Sequence, residues 1–399
     1  MDEPPSPLLK SRIPRKTIIV DNIESIFGGP RIYDVHCPVQ KGIIYYRLDG
    51  VIFEHNIHFS AKYEPRIIVP EHPSRYLGKI SFIPIKGNRI LLFAKYVKNN
   101  PKTYLHLSIH EIRSDNRVGP TLWSFDGDVH SRFDLYNFVP IKSTENALGI
   151  TFGEQFNDHW KMFDICTTDT DASDNFPLIE SGRIDFGLKF KSESLGLGIL
   201  SPDRRILLKA DSSQQRDYET IDINYSDSGD TNNINFSSIT RMSIPIPRDP
   251  EDIIDLEEPE LAFSADGSKF AMNNGRVSVW DIRSKVPLKT FTGVPKSNYD
   301  DGFVQFLQFS SGKLGKEVLV FVVRDDVSHL EIIHVIDATS FETEEMLPLK
   351  LKRIDWDAGV GGLFFDPSGG TLYAELEGTL YEWDLQENKP GPEWWIGEE

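Results

Sequence analysis

Gly275-Arg276-Val277-Ser278-Val279-Trp280-Asp281 and Gly378-Thr379-Leu380-Tyr381-Glu382-Trp383-Asp384 read alike: a turn glycine, a short strand holding an inward aliphatic, then Trp-Asp. Upstream of each lies a strand end and a tight turn, Phe263-Ser264-Ala265-Asp266-Gly267 and Phe365-Asp366-Pro367-Ser368-Gly369. Asp, Ser, Pro and Gly favour such reversals for separate backbone reasons. The unit is a hairpin. Its recurrence marks a repeat architecture, which must be recognised before any other feature of the fold.

Weaker copies follow once the unit is known. Phe82-Ile83-Pro84-Ile85-Lys86 matches Phe138-Val139-Pro140-Ile141-Lys142, while Leu200-Ser201-Pro202-Asp203 and Phe309-Ser310-Ser311-Gly312 resemble the Phe263 turn, and His36-Cys37-Pro38-Val39 is a faint further copy. The anchors stand at positions 36, 82, 138, 200, 263, 309 and 365, spaced by 46 to 63 residues. Apolar-acidic pairs follow them as strand endings: Phe53-Glu54, Phe163-Asp164, Ile221-Asp222, Trp280-Asp281, Ile336-Asp337 and Trp383-Asp384, with Ile109-His110 in the second copy.

Such spacings hold four short strands and a loop surplus. A lone sheet of this kind leaves one face wet, whereas stacking each on two neighbours buries both. The expected fold is all-β, a seven-bladed β-propeller with blades of four antiparallel strands. The β-branched run Thr17-Ile18-Ile19-Val20 is expected to supply the outer strand of the last blade and so close the ring. Residues 1–16, with four prolines, are expected to form a flexible lead-in, residues 17–390 a single propeller, and residues 391–399 a tail.

With 43 Lys+Arg against 61 Asp+Glu, the net charge is −18. Phosphate backbones and anionic membranes select for basic faces, so neither nucleic acid nor membrane is the expected partner. No apolar run reaches the length of a membrane span. Two cysteines, Cys37 and Cys166, supply neither a disulfide framework nor a four-ligand zinc site. The expected setting is reducing, cytoplasmic or nuclear. The expected partners are proteins, including ones with basic segments, and the chain is expected to act as a monomer or as a subunit of a hetero-complex.

Reaction chemistry is sparse. Gly196-Leu197-Gly198 and Gly359-Val360-Gly361 lack the third glycine of a dinucleotide loop, no Gly-Lys-Ser/Thr follows phosphate-loop spacing, and no Gly-x-Ser-x-Gly elbow occurs. His106 and His110 lie four apart in Tyr104-Leu105-His106-Leu107-Ser108-Ile109-His110, where alternation places both on an exposed polar face. Two nitrogens without a third donor make a poor metal site. No catalytic, cofactor or metal residue is therefore assigned. Asp281, Asp337 and Asp384 are expected to accept bonds from the following backbone amides, as Asp266 and Gly267 are expected to form the turn, while Trp280 and Trp383 pack between sheets. Asp249 to Glu260 holds seven acids and no base, a negative patch within reach of a basic peptide. Residues 211–240, rich in Ser, Asn, Gln and Asp, are expected to form a solvated inter-strand loop. Trp394-Trp395-Ile396 either tucks against the outer blade or stands free as a docking peptide.

The units from Phe263 to Asp281 and from Phe365 to Asp384 resemble WD (WD40-like) repeats, with the Asp-Gly turn and terminal Trp-Asp, although no copy shows the Gly-His opening of that family. The stretch from Val304 to Phe321, with Val335-Ile336-Asp337-Ala338, further resembles a fungal WD-repeat family carrying a domain of unknown function. That resemblance implies a propeller scaffold without a known reaction. Trp280-Asp281-Ile282-Arg283 is similar to the signature of substrate receptors that bind the propeller adaptor of a cullin ubiquitin ligase, in which Arg283 would offer a planar cation. The expected function is a non-enzymatic protein-protein interaction scaffold. The alternatives are a ubiquitin-ligase receptor or regulatory subunit working through Arg283, and a propeller enzyme with a central-channel site.

Overall fold

The computed structural model describes residues 7–20, 32–58, 64–85, 87–97, 103–129, 139–140, 148–155, 159–165, 178–185, 198–203, 205–211, 218–226, 234–235, 242–247, 260–273, 276–291, 304–313, 316–325, 330–351 and 359–387. Among them every regular element is a strand. β1 (Arg15–Ile18) precedes a first sheet of β2 (Ile32–His36), β3 (Ile43–Leu48), β4 (Val51–Asn56) and β5 (Arg66–Val69). The second sheet holds β6 (Tyr76–Ile85), β7 (Arg89–Val97), β8 (Thr103–Ile112) and β9 (Val118–Val129). The third holds β10 (Val139–Pro140), β11 (Leu148–Gln155), β12 (His159–Ile165) and β13 (Leu178–Asp185). The fourth is β14 (Gly198–Leu200), β15 (Ile206–Asp211), β16 (Tyr218–Tyr225) and β18 (Met242–Pro247); the intervening β17 (Ile234–Asn235) joins the third sheet, parallel to β13.

The fifth sheet runs β19 (Glu260–Phe263), β20 (Lys269–Asn273), β21 (Val277–Asp281) and β22 (Lys289–Phe291), and the sixth runs β23 (Val304–Phe309), β24 (Val318–Asp325), β25 (Leu330–Asp337) and β26 (Glu344–Lys350). In the last, β27 (Val360–Phe365), β28 (Thr371–Leu376) and β29 (Thr379–Asp384) are completed by β1, giving the order β1-β29-β28-β27. Six of these sheets have four strands, and the sequence anchors mark their beginnings. His36, Leu200, Phe263, Phe309 and Phe365 each end the first strand of a sheet, while Phe82 lies near the end of β6 and Val139-Pro140 is β10.

In two of the sheets the second strand carries an unbroken apolar run because both of its faces are covered. Val318 to Val323 in β24 and Ile90 to Ala94 in β7 are all buried. Two compact units result. One comprises Met1–Tyr46, His55–Glu64 and Gly293–Glu399, the other Arg47–Glu54 and Pro65–Thr292. The first packs Val320, Val322, Ile333, Leu347, Leu363, Leu372 and Trp383 into one cluster, and the second packs Leu208, Ile221, Ile223, Phe270, Met272 and Trp280 into another.

The N-terminal strand pairs antiparallel to β29, with Arg15 opposite Glu382 and Ile18 opposite Thr379. It starts two residues earlier than the β-branched run at Thr17 indicates. Residues 8–16 differ from a loose lead-in. Leu8 and Leu9 are 1% and 3% exposed and belong to the first unit's cluster, Leu9 bridges Leu385, and Lys10 N donates to Asp384 O at 2.8 Å. Two consecutive leucines outweigh the neighbouring prolines, because burying each removes a large apolar area from water.

Candidate functional site

Four of the anchor turns are built by one device. Ser264 Oγ accepts from Lys269 N at 2.9 Å and donates to Asp266 Oδ1 at 2.7 Å, while Asp266 Oδ1 accepts from Ser268 N at 2.9 Å. Ser201 Oγ accepts from Ile206 N at 3.0 Å and donates to Asp203, and Ser310 Oγ accepts from Val318 N at 3.0 Å. In the last sheet Asp366 replaces the serine, its Oδ1 accepting from Thr371 N and Gly370 N, both at 2.8 Å. These short side chains satisfy backbone donors that burial would otherwise orphan. Gly267 and Gly369 hold φ of +71° and +73°, which the reversal requires and a Cβ would strain. Neighbouring turns pack in pairs: a Cβ on Gly267 would lie 3.4 Å from Pro202 Cδ, and Ser311 Oγ donates to Ser368 O at 3.1 Å.

The strand-ending aspartates divide. Asp281 Oδ1 accepts from Arg283 N at 2.8 Å and Asp337 Oδ1 from Thr339 N at 2.9 Å, each closing a turn two residues on. Asp384 instead binds Lys41 Nζ at 2.5 Å, Arg15 Nη2 at 3.0 Å and Thr371 Oγ1 at 3.1 Å. Trp280 stacks on Phe270 at 5.2 Å, its cross-strand partner, and Trp383 donates Nε1 to Arg12 O at 3.2 Å. Asp222 lies within β16 and Glu54 within β4, so those two pairs do not end strands. Arg283 is committed locally: its Nε and Nη2 donate to Asp281 at 2.9 and 2.6 Å, and this bond holds the Asp281 carboxyl down at about 2.

Several glutamates that sequence reading missed are buried. Glu382 lies 2.6 Å from Arg15 Nη2, 3.3 Å from Lys41 Nζ and 3.2 Å from His58 Nε2. Burial works to raise its pKa, but the His58 bond and the surrounding cations prevail and hold it below the ordinary carboxylate value. Glu345 accepts from Leu8 N at 2.6 Å, Leu9 N at 3.1 Å and Arg12 Nε at 2.9 Å, fastening the N-terminal segment. Glu54 accepts from Arg66 Nη2 at 3.0 Å, Arg117 Nε at 2.9 Å and Val118 N at 2.8 Å.

Glu375 is held by backbone amides instead, Gly378 N at 2.7 Å and Gly361 N, and burial pushes its pKa up to about 8. A Cβ on Gly361 would lie 2.9 Å from Ile32 O, which is why that stretch is glycine without being a nucleotide loop. An acid whose folded pKa exceeds its unfolded value of 4.5 must take up a proton on folding once pH passes that value. Its contribution therefore falls as pH rises from about 4.5 to about 8 and is flat beyond. Replacing Glu375 with Gln should remove this slope, of up to about 1.4 kcal/mol per pH unit. Urea titrations of both proteins at intervals across that window measure it, and a stability difference independent of pH would contradict the assignment.

The histidines correct the expected exposed face. His110 is only 7% exposed and His106 is half-buried, because β8 is covered on both sides and has no wet face. Asp126 Oδ1 lies 2.8 Å from His106 Nδ1, and Ser108 Oγ lies 3.1 Å from His106 Nε2 and 2.8 Å from His110 Nε2. These are the spacings of an acyl-transfer triad. Ser108 is 1% exposed and its Oγ is held by both rings, so no substrate carbonyl reaches it. Burial pushes the His110 pKa down, which suits a structural imidazole. Among the described residues no three His, Cys, Asp or Glu are placed to hold a metal ion. The Cys37 thiol, pushed up to about 12 by burial first and then by the Asp366 charge, is unreactive.

Trp394 and Trp395, the acidic stretch from Asp249 to Glu258 and residues 212–217, 227–233 and 236–240 of the polar tract lie outside the described residues. The rest of that tract corrects the expected loop: Tyr218–Tyr225 is β16, whose alternating Ile221 and Ile223 are buried in the core. No family model matches the chain, and no curated protein matches it either. Among solved structures, a chain in the crystal structure of the mitotic checkpoint complex matches with a TM-score of 0.52 and 11% identity, over 96% of this chain and 96% of that one. At that identity the likeness is one of fold. Together with the antiparallel four-stranded sheets it supports a WD40-like propeller architecture.

Proposed function

We propose that the chain is a non-enzymatic interaction scaffold, a single propeller over residues 17–390 whose seven sheets close into a ring locked by β1. The observation that carries this is the repeated turn device: buried Ser201, Ser264, Ser310 and Asp366 hold reversals rigid, so neighbouring loops are presented at fixed angles. The matched chain, itself part of a multiprotein complex, supports the same reading. Partners are proteins rather than nucleic acids or membranes, the setting is cytoplasmic or nuclear, and attribution to the fungal WD-repeat family rests on the resemblance of residues 304–338. Affinity purification of the full chain followed by cross-linking mass spectrometry is expected to recover a protein cross-linked to exposed loops in near-equal amount. Recovery of the chain alone would contradict the scaffold.

The ubiquitin-ligase alternative draws on the solvent-exposed guanidinium of Arg283. An adaptor contact there has to replace or share the Asp281 pair. If it exists, Arg283→Ala loses the adaptor of a cullin ligase in a pull-down that wild type retains; equal recovery, or none from either, removes that reading.

A further inference from the structure

Among the described residues of the second unit, the hairpin between β21 and β22 exposes apolar side chains in succession. Val286 and Leu288 are 70% and 50% exposed, and Pro287 between them is exposed as well. Single exposed aliphatics are ordinary, but three in succession on an ordered turn are not. The turn is ordered by its own bonds. Ser284 N donates to Asp281 O at 2.9 Å, Leu288 N to Val279 O at 2.7 Å, and Ser284 Oγ both donates to Val286 O at 2.8 Å and accepts from Val286 N at 3.1 Å. Exposed Arg283, Lys285 and Lys289 surround the aliphatics, and residues 282–290 contain no acid. β22 is also the edge of its sheet.

We infer that this hairpin is a docking knob for an acidic peptide segment bearing aliphatic residues, Lys285 and Lys289 meeting its carboxylates while Val286 and Leu288 meet its apolar side chains. The inference rests on the scaffold reading and names the partner chemistry of one of its loops. Charge complementarity selects this occupant. A chain carrying −18 repels an extended polyanion such as an anionic membrane or a nucleic acid, whereas a short peptide feels chiefly the charges within about 10 Å, a Debye length at 0.1 M salt. The pre-formed turn spares the ordering cost of binding.

Fluorescence polarisation with the full chain and a labelled dodecapeptide of alternating Glu and Leu tests it, with a Gln-for-Glu peptide as control. Lys285→Glu with Lys289→Glu, and separately Val286→Ser with Leu288→Ser, are each expected to weaken binding about tenfold or more while the melting temperature holds. Binding of the acidic peptide should fall with added salt, and the Gln peptide should bind weakly throughout. Absence of binding by wild type, equal binding by the variants or equal binding of the Gln peptide would overturn the inference. So would stronger capture of the protein by phosphatidylglycerol vesicles than by phosphatidylcholine vesicles, if lost in the same variants. Any of these results leaves the scaffold standing where cross-linking still recovers a partner, and a chain that recovers none fails at the earlier step.

Discussion

Deletion of residues 1–22 is expected to lower the melting temperature by on the order of ten degrees. The segment contributes two buried leucines, each of the kind whose truncation to alanine costs about 2–5 kcal/mol. It also supplies β1, the outer strand of the last sheet, and its removal strips Arg15 from the buried Glu382 and the Leu8 and Leu9 amides from the buried Glu345. For a chain of this size a few kcal/mol moves the transition by several degrees. Leu8→Ala with Leu9→Ala should reproduce about half of the shift, and Ile18→Ser, at a position exposed on β1, should leave the melt where it is. Thermal unfolding followed by circular dichroism decides it; an unchanged midpoint in the deletion would show that the N-terminal strand holds nothing together.

Glu54→Ala should destabilise the second unit by about 3–5 kcal/mol. Its carboxylate is 0% exposed and receives Arg66, Arg117 and the Val118 amide, so truncation leaves two guanidinium groups and a buried N–H facing a cavity. The Arg66 side chain also donates to Val118 O, which ties β5 to the start of β9 through the same point. Glu54→Gln keeps an acceptor for Val118 N and should cost less. Urea unfolding midpoints give the comparison, and a loss under about 1 kcal/mol for the alanine variant would mean the cluster relaxes into water.

The repeat was legible because its signal is local. An anchor such as Phe263-Ser264-Ala265-Asp266-Gly267 encodes a strand end, a bonded turn and a positive φ within five residues, and it identified the first strand of its sheet. The β-branched run at Thr17 was legible for the same reason, with its register two residues off. What failed was any inference requiring knowledge of both faces of a strand. His110 was assigned to a wet face by alternation, a rule that presumes one face is solvated, and β8 has none. The buried glutamates were invisible because their partners lie 12 to 64 positions away for Glu54 and more than 300 for Glu345 and Glu382. No local pattern distinguishes those residues from solvated surface acids. Arg283 was the reverse case: its motif was visible, while the Asp281 pair that engages it is a matter of geometry.

The proposed closed ring of seven sheets is tested most directly by small-angle X-ray scattering of the full chain. A single compact body of 399 residues has a radius of gyration of about 21 Å and a distance distribution with one maximum. A markedly larger radius with a second maximum, the signature of two separated lobes, would contradict it.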